Sequence, residues 1–153
     1  MNKKYELTDE AVKINNHTLY RIKSLKDFSD VRKGDLGGFI EECDNLTHKD
    51  NAWVWGNACI FENAIVSGSS RVYGEAQVYG NAQVYQGAWV FGNAQIFGNA
   101  RIFGNAEVYG TTWVYGYAWV RKNIKLEFGV WNKKQYINDH YYLISTTLRR
   151  VLL

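Results

Sequence analysis

Three histidines are the residues of this 153-residue chain best suited to proton transfer near neutral pH. His48 stands just before a long repeat, where the repeat would place valine or isoleucine, and we interpret it as a residue that fills the first coil. His17 and His140 fall in segments typical of hairpin turns, where exposed polar side chains are common. Neither has a convincing carboxylate partner in the sequence. We therefore assign no catalytic residue.

The acidic residues inside the repeat give no acid–base pair. Glu62, Glu75 and Glu107 occupy outer or corner positions of three different repeat classes. General acid–base catalysis needs groups within hydrogen-bond reach of the same reacting atoms. The spacing brings none of these carboxylates together.

The two cysteines, Cys43 and Cys59, lack a Cys-x-x-Cys spacing, and three scattered histidines supply too few further metal ligands. We expect free thiols, no bound metal and no cofactor. The segment GDLGG at 34–38 lacks the lysine and the strand–loop–helix context of a phosphate-binding loop, so it predicts a tight turn.

The elements that would position any site come from a repeat of six residues. Residues 51–122 divide into twelve hexads without insertion, with the consensus Asn-Ala-x-[Val/Ile]-aromatic-Gly. The β-branched fourth position predicts a short strand whose middle side chain points inward, and Gly-Asn predicts a corner. Three strands then close one coil of eighteen residues. The sequence predicts an all-β parallel solenoid of about four to five coils.

The repeat resembles that of the hexapeptide-repeat proteins, in which an aliphatic residue precedes a small one. Val78 with Ala82 and Val84 with Ala88 carry this pattern, as does Ile96 with either Ala94 or Ala100. The resemblance implies a left-handed β-helix. It also implies an alternative function, because such proteins are commonly acyltransferases with a histidine base near a groove between solenoids. The twelve hexads contain no histidine and no extruded loop, so that alternative would need His48 or His140 at a subunit boundary.

A second resemblance spans about residues 5–120. The segments LTDE, TLYRIKSLKDFSDVRKGDLGGFIE, DNLTH and NAWVWGNA look like those of uncharacterised phage and prophage proteins of this repeat type. This resemblance implies a host-directed role, such as inhibition of a bacterial defence complex. The first residues carry charges with no apolar run behind them, so we expect a cytoplasmic protein without a signal peptide or a membrane span.

Both ends of the solenoid need covers, because open strand edges invite further stacking. We divide the chain into an N-terminal cap (1–44), a solenoid (45–122) and a C-terminal segment (123–153) that either caps the last coil or joins another subunit. Alternating apolar residues predict a hairpin in each flank, turning at Asn15-Asn16 and at Asn138-Asp139.

The residues beside each inward aliphatic should point outward and stack into columns, one set on each of three faces. One face is rich in tryptophan, and we predict that it binds a protein partner, a second copy of the chain, or both. A formal charge of +3 gives little support for nucleic-acid binding. A nucleotide-binding sponge that stacks bases on the rings is a further alternative. The predicted partner-binding residues are Trp53, Trp55, Arg71, Tyr73, Trp89, Phe91 and Tyr109.

Overall fold

A computed structural model describes residues 2–132 and the strand Thr147–Leu152. Three longer strands open the chain: β1 (Tyr5–Ile14), β2 (His17–Ser24) and β3 (Leu36–Ile40). A single 3₁₀ turn, Cys43–Asn45, follows them. There is no α-helix among the described residues.

Twelve strands of two residues each form the body of the solenoid, and two longer strands, β16 (Lys125–Trp131) and β17 (Thr147–Leu152), follow. In chain order, β4 to β15 are Trp53–Val54, Cys59–Ile60, Ile65–Val66, Arg71–Val72, Gln77–Val78, Gln83–Val84, Trp89–Val90, Gln95–Ile96, Arg101–Ile102, Glu107–Val108, Trp113–Val114 and Trp119–Val120.

These strands stack in parallel into three faces. The first face contains β4, β7, β10, β13 and the start of β16; the second contains β3, β5, β8, β11, β14 and the end of β16; the third contains β6, β9, β12 and β15. Among the two-residue strands, partners lie eighteen residues apart, as in the pairs Val54–Val72 and Ile60–Val78. The predicted parallel solenoid is confirmed, with about five coils.

The aliphatic fourth positions of the hexads form the core, as predicted. The fourth-position valines and isoleucines from Val54 to Val120 are at most 4% exposed, and the alanines that follow the corners are buried beside them. Trp131 is the inward residue of the last level of the second face, where it pairs with Val114. Its buried indole closes that end of the aliphatic column.

The corners need left-handed backbone. Glycines hold most of them, and Gly98 shows why: its φ is +64°, and a Cβ there would lie 2.7 Å from the amide nitrogen of Gly116. Glu62 and Gln86 take the same left-handed φ at glycine positions. Each of these two side chains then accepts a hydrogen bond from the amide of the corner glycine one coil later.

The N-terminal cap covers the first coil from two sides. Strands β1 and β2 form the predicted hairpin, which turns at Asn15-Asn16, and β2 pairs with β3. Leu19 of this hairpin packs with the outward side chains of Cys59 and Phe61 on the second face.

Apart from the bonds between residues of the paired strands themselves, the inter-coil hydrogen bonds run in one direction. On each face, amide N–H groups donate to carbonyls of the following coil, as Trp55 does to Val72 at 2.8 Å. The first coil is therefore left with carbonyl groups that need donors from elsewhere. Lys4 and Tyr5 supply them: the Lys4 Nζ donates to the carbonyls of Asp50 and Ala52, and the Tyr5 hydroxyl donates to that of Leu46.

At the other end, β17 pairs with β16 in antiparallel fashion. The hairpin turn predicted at Asn138-Asp139 lies outside the described residues.

Candidate functional site: the tryptophan groove of the first face

The outward side chains of the first face form a ladder of rings. Because each strand alternates its side chains, the residue after every inward valine faces outward. Tyr73 stacks on Phe91 with ring centroids 4.7 Å apart and planes within 1°. Phe91 stacks on Tyr109 at 4.8 Å and 4°. The predicted ladder therefore exists, and its rings are half-buried because each one covers the next.

Nearer the N-terminal end of the solenoid, the same face forms a groove around Arg71. Its guanidinium lies over the rings of Trp55, at 5.3 Å, and Trp89, at 5.6 Å. It also bonds the carboxylate of Asp30 at 2.9 Å. Together with Tyr73, these side chains line a groove of about 310 Å³. We call this set of five residues the tryptophan groove.

The charges in the tryptophan groove are matched. Partial burial alone would raise the pKa of Asp30, but the hydrogen bond from Arg71 and other local bonds hold that pKa below its ordinary value. Burial raises the pKa of Tyr73, and the nearby Glu107 adds to that effect. The groove thus presents an ionised pair, a neutral phenol and two indole rings.

Trp53 was expected to face solvent on this surface, and that expectation was wrong. The Trp53 side chain is 0% exposed. Phe28 meets the ring edge-on at 5.4 Å and Tyr5 does so at 6.2 Å. The N-terminal cap covers the first level of the face, so Trp53 belongs to the core and Trp55 and Trp89 are the indoles of the groove.

Most of the predicted partner-binding residues are at least half-buried. On the first face only Trp89, at 39%, is exposed among the predicted partner-binding residues. The second face has a longer stack of rings, and its Trp113 is 45% exposed. The centroid separations on that face are 4.9, 5.0 and 4.8 Å along the series Phe61, Tyr79, Phe97 and Tyr115.

His17 has two carboxylate partners that the sequence did not reveal. Its Nδ1 lies 2.8 Å from Glu41 and its Nε2 lies 3.3 Å from Glu62. The bond to Glu41 is the main reason that the pKa of His17 is raised. Because Glu41 follows β3 and Glu62 is at a corner of the solenoid, the cluster joins the hairpin to the repeat. No sequence spacing could have indicated this contact.

The His48 imidazole is bound within the cap. Its Nδ1 accepts a hydrogen bond from the Lys4 amide at 3.1 Å, and its ring stacks on Tyr5 with centroids 4.2 Å apart. Burial, followed by nearby lysines, lowers its pKa. A general base needs a free nitrogen and gains from a carboxylate that orients it. In His48 the unprotonated nitrogen, Nδ1, already accepts from the Lys4 amide, and the contacts of the ring include no carboxylate. His140, the other histidine of the acyltransferase alternative, lies outside the described residues.

The three acidic residues of the repeat contact separate partners. These partners are His17 for Glu62, Asn57 for Glu75 and Lys125 for Glu107.

The segment GDLGG is only partly the tight turn that we predicted. Gly34 turns with φ +94°, whereas Gly37 and Gly38 lie within β3. A Cβ on Gly37 would lie 2.5 Å from the carbonyl oxygen of Val54, and one on Gly38 would lie 2.6 Å from that of Ala58. These two glycines therefore allow close packing of β3 against the first coil.

Comparison with known families supports the repeat. A family model that describes the YdcK β-solenoid repeat matches residues 76–92 and 94–110, which lie in the middle of the solenoid and make up less than half of the chain. A search of curated proteins found no significant match. The resemblance to phage proteins, and the left-handed sense implied by the hexapeptide pattern, stay predictions.

The described part of the chain holds no helix with the length and apolar character needed for a membrane crossing.

Proposed function

We propose that this protein is a non-enzymatic binding module, and that it recognises a protein partner through the tryptophan groove. The observation that carries the proposal is the Arg71 guanidinium, which lies over Trp55 and Trp89 and is tied to Asp30. Tryptophan, tyrosine and arginine are the residues most enriched at the energetic centres of protein interfaces. Here all three types line one concave surface.

The groove is also prepared for binding before a partner arrives. Ordering a long side chain at an interface costs about 0.5–1.5 kcal/mol. Arg71 is already held by two rings and a carboxylate, and Tyr73 is already held by its stack on Phe91. A partner would therefore meet side chains whose conformational entropy is largely lost.

The resemblance to phage-borne proteins supports a narrower form of the proposal. An inhibitor of a bacterial defence complex needs a rigid surface that blocks its target, and it needs no active site. We propose that the tryptophan groove serves as such a surface inside the bacterial cell. A second copy of the chain is the other partner that the groove would accept.

The test compares three forms of the full chain as bait in a bacterial lysate. The first is wild type, the second is the double variant Trp55→Ala/Trp89→Ala, and the third is Trp113→Ala. The last variant is the matched control, because Trp113 is an exposed indole on the second face. Captured proteins are identified by mass spectrometry, and self-association is measured by sedimentation.

We expect the groove variant to keep its thermal unfolding transition and to lose a partner, or a self-association, that the control retains. Because hot-spot residues contribute about 2 kcal/mol or more, affinity should fall at least about thirtyfold. Equal capture and equal mass for all three forms would refute the proposal.

A further inference from the structure

A second cavity lies at the N-terminal end of the solenoid, away from the tryptophan groove. Its volume is about 580 Å³, which is within the range of small-molecule sites. Lys26, Lys49 and Asn2 supply polar groups to its lining, and Cys43 supplies less polar surface. None of these residues belongs to the groove of the first face.

His48 lines this cavity in one fixed orientation and one tautomer. The ring is stacked on Tyr5, with an angle of 12° between the planes. Its Nδ1 accepts the Lys4 amide hydrogen, so this nitrogen is unprotonated in the neutral ring. The proton of the neutral imidazole is therefore on Nε2, which makes Nε2 a hydrogen-bond donor.

The surroundings of His48 are cationic. Burial is the largest cause of its lowered pKa, and the charges of Lys4, Lys3 and Lys26 lower that pKa further. Lys26 is half-buried in the cavity wall. An anion in the cavity would relieve the repulsion among these groups.

The nearby acidic residues leave this charge incompletely neutralised. Asp50 is already engaged, since it accepts hydrogen bonds from Thr47 and from the amide of Gly68 and lies 3.7 Å from the Lys4 ammonium. Asp44 is the one carboxylate among the residues that line the cavity. The Asp44 carboxylate would repel a ligand with negative charge over its whole surface, but it permits a ligand with a single anionic group.

We propose that this cavity binds the phosphate group of a small phosphate monoester. Lys26 and Lys49 act as point charges for the phosphate, and Nε2 of His48 and the Asn2 side chain act as hydrogen-bond donors. The volume exceeds the needs of a bare phosphate ion, and the uncharged part of the ester lies against Cys43.

The main test is a titration of the full chain with glycerol phosphate and, separately, with inorganic phosphate, followed through the histidine ring nitrogens by NMR. Bound phosphate should shift the His48 resonances in a saturable manner and raise the pKa of His48, while the His17 resonances stay in place. Glycerol phosphate should bind more tightly than inorganic phosphate. Equal affinity for the two probes would overturn the assignment to an ester, and no saturable shift at His48 would overturn the site.

Removal of one cavity charge tests the role of Lys26. Lys26→Met should weaken glycerol phosphate binding about tenfold, because one charge-assisted contact is lost. The control Lys33→Met, at an exposed lysine outside the cavity lining, should leave the affinity unchanged. Equal affinities for these two variants would overturn the contact between Lys26 and the phosphate.

Wild-type protein offers a readout that needs no variant. Cys43 is exposed and Cys59 is buried, so N-ethylmaleimide should report on Cys43. Glycerol phosphate should slow its alkylation, and an unchanged rate at saturation would overturn the placement of the ligand.

Discussion

Replacement of Lys4 by methionine should destabilise the protein far more than the same change at Lys3. The Lys4 ammonium is buried and donates at 2.9 Å to the carbonyl of Asp50 and at 2.6 Å to that of Ala52. Methionine keeps most of the side-chain volume but leaves both carbonyls without this donor. At about 1–3 kcal/mol for each unsatisfied group, offset in part by the lost cost of burying a charge, we expect a net loss of about 2–4 kcal/mol.

The assay is thermal and chemical denaturation of the two variants and wild type. For a chain of this size the expected loss corresponds to a fall in Tm of roughly 5–15 °C. Lys3 is exposed, so Lys3→Met should change the free energy of unfolding by about 0.5 kcal/mol or less. Similar Tm values for Lys4→Met and Lys3→Met would refute the argument that the first coil needs donors from the cap.

The pH dependence of the Lys4 effect provides a sharper check. Burial lowers the pKa of Lys4 from 10.5 to about 8, against the opposing effect of Asp50. Between these two values the unfolded chain binds a proton that the folded chain does not, so Lys4 makes the stability of wild type rise with pH, by at most about 1.4 kcal/mol per pH unit. Lys4→Met removes that dependence. The stability difference between the two proteins should therefore grow from pH 8 to 10.5, and a constant difference would show that Lys4 titrates normally.

Three further predictions concern the solenoid and its junction with the cap. Gly98→Ala should lower the free energy of unfolding by about 3 kcal/mol, because left-handed backbone strain adds to a steric clash with the next coil. Gly34 has φ +94° and open space around it, so the control Gly34→Ala should lower it by only about 1 kcal/mol. Urea denaturation measures both values. His17→Gln should reduce stability most between about pH 4.5 and 6.5. The raised pKa of His17 stabilises the folded state until the pH rises through that pKa, and the lowered pKa of Glu41 stabilises the folded state until the pH falls through that pKa. A flat pH profile of that difference would contradict the ion pair. Phe97→Ala should cost about 2 kcal/mol, because this ring is stacked on both sides; a cost below about 0.5 kcal/mol would mean that the ladders contribute little.

The repeat made the fold predictable because each hexad encodes its own side-chain directions. A β-branched residue between two larger neighbours predicts one inward position, and a period of six fixes which residues share a face. The buried Val54 column and the stacked ring of Phe91 follow directly. The prediction needed no knowledge of contacts between distant parts of the chain.

The tryptophan groove was less predictable because the N-terminal cap determines where the groove ends. Trp53 has the same hexad position as Trp89, yet the first is buried and the second is exposed. The difference comes from Phe28, in a segment with no repeat and no fixed spacing to the solenoid. Asp30, which completes the groove, was missed for the same reason. Long-range packing of an irregular segment leaves no periodic signal in a single sequence.

The direction of the inter-coil hydrogen bonds connects the fold to both proposed sites. A solenoid in which most amides that flank the short strands donate to the following coil presents carbonyls at its N-terminal end, and carbonyls can be satisfied only by donors. Lys4 and Tyr5 supply these donors, and Lys4 makes this end of the solenoid cationic. The same two residues hold His48, through the Lys4 amide and the Tyr5 ring. The cap that covers this end continues over the first face, where Asp30 of the cap fixes Arg71. The tryptophan groove and the phosphate cavity are thus two consequences of one structural requirement, the covering of the first coil. Deletion of the cap residues that precede Asp30 should therefore disrupt both sites together. By contrast, Lys26→Met should affect only the phosphate cavity, and Trp89→Ala should affect only the tryptophan groove.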